Sequence, residues 1–149
     1  MAKSSAARRS TDTANVAPTE IRSPREALLA YVDAFSARNA DLVSDLVGED
    51  SLVELPLLKP NRLFGKHEIR AGHAAAFQAI EDAKFELSDP AEKGSFAIAE
   101  GKLTARRTNG VVDEHPLGIV VEARDGWLRR LTLYINARRY RLWSDKTIL

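Results

Sequence analysis

The spacing of apolar residues changes once along this chain, and that change limits the folds open to it. Up to about residue 80 they recur at helical intervals, whereas from "KFELSD" onward they alternate. Asn109-Gly110 and Asp125-Gly126 interrupt the alternating part, and both dipeptides favour the positive φ angles of tight hairpins. Helices gathered first and antiparallel strands after them predict an α+β fold, with the helices packed on one face of a bent sheet.

The helical part has a defined start. In "SPREALLAYVDAF", Ser23 is placed to cap, Pro24 to occupy the first helical position, and Glu26 to complete a capping box. Leu28, Tyr31, Val32 and Phe35 then give one apolar face. "NADLVSDLVGED" predicts a second short helix with Leu42, Val43, Leu46 and Val47 inward and Gly48 as its stop. "SLVELP" is expected as a strand, "LLKPNRLFG" as a loop, and "KHEIRAGHAAAFQAI" as a third helix carrying His73 on the same face as Ile69, Ala76, Phe77 and Ile80. Beyond it come the strand "KFELSD", a turn at "PAEKG", and strands over 95–107, 111–124 and 127 to about 142. The expected order is α-α-β-α-β-β-β-β.

Composition excludes several classes. Residues 1–20 lack large apolar side chains and cannot offset their ordering entropy, so a disordered tail is expected there and a single domain over 21–149. A formal net charge of +1 provides no general attraction to nucleic acid or an anionic membrane. No apolar run approaches the length of a membrane span. There is no cysteine and no close-spaced ligand motif, so no metal and no cofactor are expected. No apolar segment follows the basic residues near the start, and a cytoplasmic location is expected.

The phrases "AYVDAFSARNADLVSDLVGEDSLVELP", "LFGKHEIRAG" and "EARDGWLRRLTLYIN" resemble the SnoaL-like branch of the nuclear transport factor two-like superfamily. The resemblance covers residues 24 to about 143. It implies a cystatin-like cone, in which a curved antiparallel or mixed sheet wraps round the N-terminal helices and encloses an apolar pocket. It also implies a homodimer through the convex sheet face, where Val120, Tyr134 and Asn136 are expected. Within the superfamily the chain looks most like limonene-epoxide-hydrolase-like proteins. The residues that carry that hydrolysis fall on Lys102, Glu100, Leu133, Glu54 and Leu52, and none of the five is retained. A base-activated water needs a carboxylate on the last strand, which Leu133 cannot supply.

Strand parity nominates the site residues. In "VVDEHPLGIVVEAR", His115, Leu117, Ile119, Val121 and Ala123 share the apolar face, so His115 is expected inside the cone. Leu131, Leu133 and Ile135 are expected inward on the last strand. For 95–107 two registers stand open: family spacing puts Glu100, Lys102 and Thr104 inside, whereas composition puts Ala99, Gly101 and Leu103 there. The expected catalytic set is His115, Glu54 and His73, since a carboxylate beside imidazoles can move protons near neutral pH. The expected pocket walls are Phe35, Leu52, Phe77, Ile119 and Leu133, with Glu100 and Lys102 as a neutralising pair. His67, at a helix start, should be solvated. Arg106, Arg107, Arg129, Arg130 and "ARRYRLW" make a basic group, but alternation leaves the arginines solvated beside packed Tyr140 and Leu142, so no nucleic-acid partner is expected.

Two readings follow. One is a cofactor-free acid/base enzyme (isomerase, cyclase, dehydratase or hydrolase) acting on a small apolar molecule. The other is a non-catalytic ligand-binding or protein-interaction module.

Overall fold

The computed structural model describes residues 23–56 and 61–135. The tail expected over 1–20, the end of the last strand and the positions Asn136, Tyr140 and Leu142 lie outside the described residues. Helix α1 (Pro24–Ser36) starts as its sequence requires: Ser23 is extended and its hydroxyl accepts from the Glu26 amide at 3.1 Å. Ala27, Leu28, Tyr31, Ala34 and Phe35 form its buried stripe. Helix α2 (Ala40–Asp45) is capped by Asn39 and stops earlier than expected. It has fewer than two turns and buries Val43 and Ser44, so Leu42, expected inward, is left exposed. Gly48, expected as the helix stop, lies instead in strand β1 (Val47–Glu54).

Two three-residue strands occupy segments expected as loop and turn. Strand β2 (Arg62–Phe64) pairs antiparallel with β1, and β4 (Ala91–Lys93) pairs with β5 (Phe96–Arg107). Three residues are too few to show a period of two, so only the partner strand reveals them. Helix α3 (Gly65–Gln78) ends before Ile80, which opens β3 (Ile80–Leu87) rather than extending the helix face. Strands β6 (Val112–Arg124) and β7 (Trp127–Ile135) follow. The sheet runs β2-β1-β7-β6-β5-β3, with β4 beside β5, and the β1–β7 pairing is parallel. The architecture is therefore the expected α+β fold with a curved mixed sheet.

Both hairpin signals form turns, of different kinds. Asp125 and Gly126 have φ of 57° and 82°, which matches the right-handed twist of β6 and β7. At Asn109-Gly110 only Gly110 has positive φ, and the Arg107 amide donates to the Val111 carbonyl at 2.8 Å, closing a wider loop. Register then settles the faces, because directly opposed residues share one. Ala99 faces Ile119 and Leu103 faces His115, so the inner face of β5 is Ala97, Ala99, Leu103 and Ala105. The composition reading of this strand holds. Glu100, Lys102 and Thr104, which family spacing put inside, are on the outer face.

Candidate functional site

The inner surface of the sheet meets α1 and α3 through aromatic side chains. Phe35 packs edge-on against Phe77 at 5.0 Å and against Phe85 at 5.3 Å between ring centroids. Of the expected pocket walls, Phe35, Phe77, Ile119 and Leu133 lie in this buried interior. Leu52 does not, since β1 turns Ser51, Val53 and Leu55 inward and leaves Leu52 half-buried on the other side.

His73 sits among these rings with 0% exposure. Its Nδ1 lies 2.7 Å from the Ile69 carbonyl, one helical turn back, and its Nε2 lies 2.9 Å from the Tyr31 hydroxyl. A carbonyl can only accept, so Nδ1 carries the proton, and Tyr31 donates its own to Nε2. Burial disfavours the charged ring and lowers its pKa from 6.5 to about 4, opposed in part by the bond to Ile69. Burial also pushes the Tyr31 hydroxyl pKa up. The pair is neutral across the physiological range, with both imidazole nitrogens engaged. This is the physical reason a titratable ring can stand at a core position of α3.

Glu54 is not with the histidines. Its Oε1 accepts from Arg130 Nη2 at 2.7 Å, from Arg130 Nε at 2.9 Å and from the Thr132 hydroxyl at 3.2 Å, all on the outer face. The Glu54 hydrogen bond and charge raise the Arg130 pKa. The inward expectation for Glu54 fails because β1 pairs Glu54 with Thr132 and buries Val53 and Leu55 instead. A carboxylate on the inner side would have lost water without gaining a cation.

His115 is on the inner face as expected, with 0% exposure. Two residues earlier on the same face stands Asp113, which sequence reasoning missed. Its Oδ2 accepts from Arg107 Nε at 2.7 Å, across the β5–β6 hairpin. Arg107, expected to be solvated, is 7% exposed, and its Nη2 is buried with no hydrogen-bond partner. The signal was available in the parity of Asp113 with His115. Among the described residues, Asp113 is the carboxylate carried on the inner faces of β5 to β7.

Elsewhere the charges pair on the surface. Glu100 and Lys102 do not neutralise each other: Lys102 lies 3.6 Å from both Glu86 and Glu114. Arg106 meets Glu81 and Arg129 meets Asp50, so these two members of the expected basic group are ion-paired, while "ARRYRLW" lies outside the described residues. His67 is exposed as expected. Among the described residues no group of three His, Cys, Asp or Glu could hold a metal ion, and no helix is long and apolar enough to cross a membrane. A groove of about 540 Å3 opens on the outer face, bordered by Ser88, Glu100, Pro116, Gly118 and Tyr134.

Comparison with known proteins places this geometry among relatives. The family model described as the SnoaL-like domain matches residues 28–131. No curated protein matches the sequence. Among solved structures, an uncharacterised cystatin-fold protein of Novosphingobium aromaticivorans is 21% identical, with a TM-score of 0.64 over 74% of this chain and 97% of its own. A SnoaL-like polyketide cyclase, so described, of Shewanella denitrificans superposes with a TM-score of 0.71 at 12% identity, covering 78% and 92%. An epoxide hydrolase of M. tuberculosis, described as LEH-like, gives 0.68 at 15% identity, covering 78% and 84%. At these identities the likeness speaks for the fold alone.

Proposed function

The chain belongs to the family of SnoaL-like domains, and from that premise we propose that it works as a non-catalytic binding module that pairs with a second copy through its outer sheet face. The observation that carries this reading is the separation of the groups an acid/base enzyme would use. Glu54 is held by Arg130 on one side of the sheet, while His73 and His115 are buried on the other. Proton transfer requires hydrogen-bond reach, and no tuning of pKa replaces it. The outer face supports the pairing: Phe64, Ile98 and Tyr134 are 52%, 50% and 57% exposed there. A symmetric dimer would cover that patch twice. A single domain over 21–149, a cytoplasmic location and the absence of any cofactor belong to the same proposal.

The test is to titrate the histidines by NMR with Glu54→Gln as control. Both buried histidine curves should be unmoved by the substitution. A curve displaced by it would restore a shared carboxylate–imidazole site. Sedimentation should give a dimer, and a 16.5 kDa monomer at micromolar concentration would refute the pairing.

Asp113 favours a second reading. It shares the inner face with His115, so a cofactor-free acid/base enzyme acting on a small apolar molecule would draw its carboxylate from Asp113 rather than Glu54. Turnover of an epoxide or ketone, lost in both Asp113→Asn and His115→Gln variants at a temperature where circular dichroism shows each still folded, would establish it.

A further inference from the structure

The loop that joins β5 to β6 holds an asparagine amide beside a backbone nitrogen that no side chain shields. Asn109 and Gly110 are both exposed. The Val111 N–H donates to Asn109 Oδ1 at 3.0 Å, and the Gly110 N–H donates to the Arg107 carbonyl at 2.9 Å. A donor on Oδ1 draws electron density from the side-chain carbonyl carbon. It also stands where that oxygen would carry negative charge if a nucleophile added. Gly110 has no Cβ to crowd its own nitrogen, and apart from its chain neighbours nothing lies within 4 Å of where one would be.

We propose that Asn109 is a modification site, at which the folded chain converts its own side-chain amide to aspartate and isoaspartate. The Gly110 nitrogen, after losing its proton to hydroxide, bonds to Asn109 Cγ. The tetrahedral oxyanion, held by the Val111 N–H, then collapses and breaks the Cγ–Nδ2 bond. Nδ2 takes up a proton from water and leaves as ammonia, and a five-membered imide remains. Water opens the imide at either carbonyl, so the net change is one water in and one ammonia out, with nothing oxidised or reduced.

Asn39 shows why the glycine matters. Its Oδ1 also accepts from a backbone N–H, that of Leu42, yet the next nitrogen belongs to Ala40, the first residue of α2. A Cβ and a helical backbone both stand in the way of closing the ring there. The two products at Asn109 differ in consequence. Aspartate keeps the length of the main chain, whereas isoaspartate adds a methylene to it. Both backbone bonds of this loop end on Arg107, through its carbonyl and its own N–H to Val111, and the Arg107 side chain holds Asp113. Lengthening the loop therefore loosens the support of that buried pair.

The experiment is to incubate the full chain, folded, in mildly alkaline buffer and to follow each asparagine by peptide mass spectrometry. Asn109 should gain the amide-to-acid mass difference while Asn39 and Asn61 keep their amides, and the rate should rise with pH. Val111→Pro should slow the conversion about fivefold, the worth of one hydrogen bond. It removes the donor without breaking the ladder, because the Val111 N–H serves only the Asn109 side chain. Val111→Ala keeps the donor and should react like the parent, and circular dichroism checks that both variants are folded. The separated isoaspartate form should melt below the Asn109→Asp variant. An Asn109 that keeps its amide in the folded chain and converts only in urea would overturn the proposal. So would equal rates in the parent and a folded Val111→Pro variant.

Discussion

Lowering the pH from 7 to 5 should destabilise this protein through His73, and the amount can be worked out. The ring is buried and neutral in the fold, with its pKa lowered to about 4, against 6.5 when unfolded. Below 6.5 the unfolded chain therefore takes up a proton that the folded chain refuses. Stability from this group is complete above the unfolded pKa and is lost as pH falls towards the folded one. Integrating between those values gives about 2 kcal/mol lost from pH 7 to pH 5. For a fold of this size that is roughly 8 °C in melting temperature. Carboxylates titrate over the same range, so the measurement is a difference. The control is Tyr31→Phe with His73→Phe, which removes both hydrogen-bonding partners together and leaves no orphan between them. Urea unfolding of parent and control at both pH values should show the parent losing about 2 kcal/mol more than the control. Equal losses would refute the argument, because His73 would then be titrating in the fold much as it does in the unfolded chain.

Gly101→Ala should prevent folding or cost more than about 3 kcal/mol, since its Cβ would lie 2.0 Å from the Glu86 carbonyl; thermal melting reads this directly, and a melting temperature near the parent's would show the β3–β5 approach to be wrong. Asp113→Ala should cost about 3–5 kcal/mol in urea unfolding, because it leaves the Arg107 guanidinium buried without its anion. Deleting residues 1–20 should leave the melting temperature unchanged, and a fall of several degrees would mean that the segment packs on the domain or on a second copy.

Local chemistry determined much of this fold. Ser23, Pro24 and Glu26 set the start of α1 through bonds made within four residues. Asp125-Gly126 set the β6–β7 turn because both positions adopt positive φ. The alternation of β6 is long and one-sided enough to fix His115, Ile119 and Val121 on the inner face without knowledge of the partner strands. Where a strand is short or bulged, local pattern fails. Strand β1 pairs with Leu128 through Val47 and with Arg130 through Leu52, and the irregularity between them resets which side chains point inward. That shift put Glu54 beside Arg130 and Thr132 and separated it from the histidines. In β5 two registers fitted the sequence, and only pairing with β3 and β6 chose the one that buries Leu103 and exposes Glu100. The inward position of Asp113 was legible in its parity with His115, and only its pairing with Arg107 waited for the hairpin to bring that side chain across. Backbone propensities and turns act over a few residues and are written in the sequence. Which face of a strand meets the core is decided by partners dozens of residues away, and a one-residue shift reverses it.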